Sequence, residues 1–142
     1  EKESPDMALA YLMELIADNQ RRKEPWEYEG VEADEAFFED AMQEYCYSFY
    51  TIGSPQSMRA FLELSRKMNS LHPSNLTYIN NIGSYYMVAE EDFKTALKYY
   101  KKVLKKSPDD PTALKNGMIA ARKLSNAKLE AKYRLALEKS VK

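Results

Sequence analysis

A single cysteine and a single histidine occur in the 142 residues. One thiol, Cys46, excludes an intrachain disulfide and leaves the compartment open. One imidazole, His72, excludes a multi-histidine metal site and the Glu-x-x-His pairs of diiron bundles. Only four glycines and six prolines are present, too few for an all-β fold with its many turns. The glycines, at 30, 53, 83 and 117, are too scattered to form a phosphate-cradling loop. No apolar run approaches the ~18 residues needed to span a membrane. The stretch from Met7 to Ala17 is apolar but short, and Glu1, Glu3 and Asp6 precede it where a signal peptide carries positive charge. No catalytic residue, cofactor or metal is therefore expected. Cys46 reads as a buried thiol and His72 as a helix-end residue.

What is abundant favours helix. Valine and isoleucine are scarce beside Ala, Leu, Met, Glu and Lys, and a hydrophobic content of 44% is enough for a core. The net charge of −1 conceals an asymmetry. Residues 1–72 carry 15 acidic and 7 basic side chains, whereas residues 73–142 carry 7 acidic and 14 basic. Nine carboxylates lie between Glu24 and Glu44; four of them, Glu35, Glu39, Asp40 and Glu44, read as an exposed acidic face. Lys94, Lys98, Lys101, Lys102, Lys105 and Lys106 form a row with no arginine, which reads as a solvated outer face and not as a nucleic-acid surface.

Ser4-Pro5 reads as an N-cap followed by proline in the first turn. Leu9, Leu12, Met13 and Ile16 then form a helical stripe, and Pro25 closes that helix after about Lys23. Residues 25–33 read as an acidic loop with two aromatics. A second helix over 34–52 presents Phe37, Ala41, Tyr45, Ser48, Phe49 and Ile52. Gly53-Ser54-Pro55 leads to a third over 55–71, with Met58, Phe61, Leu62, Ser65 and Met68 on one side. Four more are expected over 75–89, 91–106, 110–124 and 126–140. Seven helices with short turns imply antiparallel neighbours.

Offsetting the chain by 35 residues superposes Pro73 on Pro108, Met58 on Phe93 and Met68 on Val103. Within 76–110, Ile79-x-x-Ile82-Gly83-x-x-Tyr86 is followed by Ala96-x-x-x-Tyr100 and Pro108. This resembles the tetratricopeptide repeat, whose pattern is W-x-x-L-G-x-x-Y, then A-x-x-x-F, then P, over two helices. Leu114-x-x-Gly117-Met118-x-x-Ala121 and Leu129-x-x-x-Tyr133 match more loosely, with the glycine one place early. The resemblance implies an all-α fold of antiparallel hairpins stacked as a short right-handed superhelix. It divides the chain into residues 1–33 (a helix and an acidic aromatic loop) and a continuous repeat region over 34–142, with repeats at about 34–75, 76–110 and 111–142. Gly83 is expected near Ala96, where the two helices of a hairpin approach closely.

The resemblance also implies a non-catalytic scaffold that binds a protein or peptide in a concave groove lined by the first helix of each pair. Carried over by spacing, the groove residues are Thr77, Asn80, Ser84 and Met87, then Thr112, Lys115, Ile119 and Arg122. Two alternatives remain: a structural protein self-associating through its acidic front and basic back halves, and a helical accessory part of a larger enzyme or complex. No nucleic-acid partner is expected.

Overall fold

The computed structural model describes residues 4–21, 26–28, 31–33 and 35–140. Seven helices dominate: α1 (Pro5–Arg21), α2 (Glu35–Ile52), α3 (Pro55–Leu71), α4 (Leu76–Val88), α5 (Phe93–Lys106), α6 (Pro111–Lys123) and α7 (Ala127–Ser140). The class is all-α, and the observed ends lie within about two residues of the expected ones. One local expectation is corrected. Within residues 25–33, read as loop, β1 (Trp26–Tyr28) pairs antiparallel with β2 (Val31–Ala33), with Tyr28 opposite Val31 and Trp26 opposite Ala33. Two residues, Glu29-Gly30, separate the strands, a spacing and composition that suit a hairpin. The abundant carboxylates masked that signal.

The chain groups into two compact units, 1–64 and 65–142, whose boundary falls inside α3 and not at a linker. In the first unit the Met7 amide donates to Ser4 Oγ (3.2 Å), capping α1 as the Ser-Pro pair requires. Leu12 and Ile16 are buried in α1. In α2 the buried residues are Phe38, Met42, Cys46 and Phe49; of the expected face Phe37, Ala41, Tyr45, Ser48, Phe49 and Ile52, only Phe49 is among them. Phe37, Tyr45 and Ile52 are exposed, so the buried stripe lies one residue, about 100°, further round. Both stripes are apolar enough to pattern as core. The one chosen carries Met and Cys where the other carries Ala and Tyr, and a tyrosine hydroxyl keeps its hydration at the surface. Gly53 joins α2 to α3 at φ +75°, a left-handed conformation natural to glycine. The Ser57 hydroxyl donates to the Phe49 carbonyl (2.7 Å) across this corner, and Tyr50 lies 5.2 Å from Phe61, ring to ring. The five residues expected to line α3 are all buried.

In the second unit α4 packs on α5, α5 on α6 and α6 on α7. Turns of three or four residues make each consecutive pair antiparallel. Every start is capped by a side chain: Asn75 accepts from the Thr77 amide (3.0 Å), Asp92 from Thr95 (3.1 Å), Asp110 from Ala113 (2.9 Å) and Asn126 from Leu129 (3.0 Å). Each cap satisfies an amide that the first helical turn leaves without a partner. One core gathers Ile79, Ala96, Tyr100, Val103 and Ala113. A second gathers Leu97, Leu114, Ala120 and Tyr133, and Met87 and Leu104 pack against both.

Candidate partner-binding surfaces

The geometry of the second unit rests on two small-against-large contacts. A Cβ placed on Gly83 would stand 2.8 Å from Cε1 of Tyr100, and one on Gly117 would stand 2.9 Å from Cε2 of Tyr133. A Cβ is crowded at both because a ring from the second helix of the hairpin lies against the backbone of the first. The glycine and the ring are 17 residues apart in one hairpin and 16 in the other, since four residues link α4 to α5 and three link α6 to α7. Gly83 lies eight residues after the capping Asn75 and Gly117 seven after the capping Asp110, so the one-place shift of Gly117 arises at the start of α6, while the glycine-against-ring contact recurs in both hairpins. Gly83 meets Tyr100; no contact with Ala96 is among those nearest it.

The hairpins differ in one detail. The Tyr100 hydroxyl lies 3.0 Å from Ser84 Oγ, a hydrogen bond across the hairpin. Met118 follows Gly117 where Ser84 follows Gly83. The Tyr133 hydroxyl has no such partner; the residue is largely buried, but its oxygen is not among the buried atoms left unsatisfied. Burial holds its phenol above the usual tyrosine pKa.

The eight residues carried over as a groove separate into two sets. Asn80 is buried, and its Nδ2 donates to Asp110 Oδ2 (3.1 Å). It ties α4 to the cap of α6, while its own Oδ1 is buried without a partner. Ser84 holds Tyr100, and Met87 fills both cores. The Arg122 guanidinium donates to Glu130 of α7 (2.8 Å), which Arg134 also contacts (3.1 Å). Arg122 is exposed despite this bond, and Thr77, Thr112, Lys115 and Ile119 are exposed as well. Sequence could not separate these sets, because a buried amide and a surface amide occupy equivalent helical positions.

A second surface escaped the sequence reading. Leu104 of α5, Leu114 of α6, and Leu129 and Ala136 of α7 floor a cavity of about 380 Å³. Lys101 and Lys105 from one side and Lys132 from the other stand around it, with Tyr133 in the wall. The lysine row is exposed along α5, as expected, but only part of it meets this cavity. No local window brings Lys132 beside Lys101, because one repeat separates them. In the first unit Met7, Tyr11 and Tyr45 line an apolar hollow of about 420 Å³.

Cys46 is 1% exposed, as expected for a thiol in a core. Among the described residues no group of three or more His, Cys, Asp or Glu could hold a metal ion. Among them, too, no helix is long and apolar enough to cross a membrane. No family model matches the chain, and no curated protein matches its sequence.

Proposed function

We propose that the chain is a non-catalytic protein-binding scaffold of tetratricopeptide-repeat type, its hairpins stacked as a short right-handed superhelix. Recurrence of the glycine-against-tyrosine contact in consecutive, mutually packed hairpins carries this reading. Repeats of this size bury their apolar faces only against neighbours, and stacking them produces an extended binding face. Thr77, Thr112, Lys115 and Ile119 are exposed members of the groove set, with Arg122 exposed but paired with Glu130, so the ligand is a peptide or helix with an apolar anchor and a carboxylate.

Selection of a displayed random-peptide library on the purified chain tests this. Enriched peptides should carry an acidic residue near an apolar one, and Lys115→Glu with Ile119→Asp should remove their binding while the helical circular-dichroism signal stays. Arg122 is left intact because a carboxylate there would face Glu130. Peptides that bind this variant as well as the parent would refute the groove.

A further inference from the structure

We propose that the lysine-rimmed cavity between α5 and α7 is a docking site for a second copy of this chain, and that it receives the exposed acidic face of the partner copy's α2. The cavity offers an apolar lining, three lysines and the phenol of Tyr133. Tyr133 lines the cavity, and whereas its counterpart Tyr100 is held by Ser84, its hydroxyl is available to donate to an occupant. The occupant therefore combines an apolar body with anionic oxygens.

The chain carries such an occupant on α2. Opposite its buried stripe, Phe37, Asp40, Glu44 and Tyr47 follow one another at helical spacing. Tyr47 is 70% exposed and Phe37 40%. Asp40 and Glu44 are four residues apart, as are Lys101 and Lys105, so two carboxylates and two ammonium groups repeat at a common pitch of about 6 Å. The aromatic ends would cover the leucine floor, in the manner of an amphipathic helix laid in a groove. The acidic and basic halves of the sequence supply long-range attraction of the same sense. Because donor face and acceptor cavity are different surfaces, the contact is head-to-tail, and a pair of copies retains one unused face of each kind.

Sedimentation velocity over a concentration series at about 0.05 M and about 0.5 M salt tests this. The parent chain should associate progressively, and less at high salt. Lys101→Glu with Lys105→Glu, and separately Asp40→Lys with Glu44→Lys, should each weaken association at least about 30-fold, attraction having been replaced by repulsion. Mixing the two variants should restore a 1:1 dimer and nothing larger, since each retains the face the other lacks. Tyr133→Phe keeps the ring against Gly117 and should weaken association about 3- to 10-fold. Circular dichroism and melting of each variant verify folding. A parent chain monomeric throughout, variants that associate like the parent, or mixed variants that stay monomeric would each overturn the proposal. Dodecanoate binding in the cavity of a monomeric chain would also overturn it, in favour of a small amphiphile. None of these variants touches Lys115 or Ile119, so failure here leaves the peptide-groove reading standing.

Discussion

Replacing Gly83 by alanine sets two effects against each other. Alanine within a helix is favoured over glycine by about 1 kcal/mol, so in open surroundings the change would stabilise. The new methyl would stand 2.8, 3.0 and 3.2 Å from three ring carbons of Tyr100, against the ~3.5 Å at which carbon atoms rest. The ring must retreat by about 0.7 Å at its nearest atom. Tyr100 is fully buried and tied to Ser84, so the retreat strains a packed core, which costs about 1–3 kcal/mol. The expected net is a loss of about 1 kcal/mol, a fall in melting temperature of about 2–4 °C for a chain of this length. Gly117→Ala is the internal control. Its ring, on Tyr133, is untied and borders a cavity, so it yields more easily and the net should lie near zero. Urea titrations of both variants measure the difference, and Ser84→Ala should reduce the Gly83→Ala penalty by releasing the ring. If Gly83→Ala is stabilising, or no worse than Gly117→Ala, then the ring contact does not govern the hairpin.

Two further outcomes can be checked by titration. Asn80→Asp would place a second carboxylate about 3 Å from that of Asp110, costing about 3–5 kcal/mol at neutral pH. One of the pair would have a raised pKa, so the defect should be small in acid and grow as pH rises; equal losses at pH about 4.5 and about 7 would exclude the pairing. The Thr95 hydroxyl and then its amide hold the Asp92 carboxyl below its ordinary value. A lowered pKa contributes stability above the unfolded value of about 3.9, lost as pH falls through the folded one. Asp92→Asn should therefore flatten the decline in stability below pH about 4, with little loss at neutral pH because asparagine also caps.

Helix ends were legible because they are local chemistry: Ser4-Pro5, Gly53-Ser54-Pro55 and the capping carboxylates act within four residues. Which side of a helix is buried was legible only where one stripe is clearly more apolar. In α3 it is; in α2 two stripes compete, and the hydration of tyrosine decided between them. Gly117 matched Gly83 only loosely in the sequence, since what recurs between the hairpins is a contact and not a fixed period. The bond from Asn80 to Asp110 was not legible because the two lie 30 residues apart. The lysine-rimmed cavity required two helices from different hairpins, and no window of sequence contains both.

The Asn80–Asp110 bond has a consequence for how order spreads along the second unit. Asp110 Oδ2 accepts from both Asn80 and the Ala113 amide. The start of one hairpin is thus secured by the first helix of the preceding one. Fraying of α4 frees the capping carboxylate, and α6 then begins without its fixed acceptor. Opening becomes a relay: amides at the start of α6 should exchange with solvent in step with those of α4, whereas the start of α7, capped by Asn126 alone, keeps its own clock.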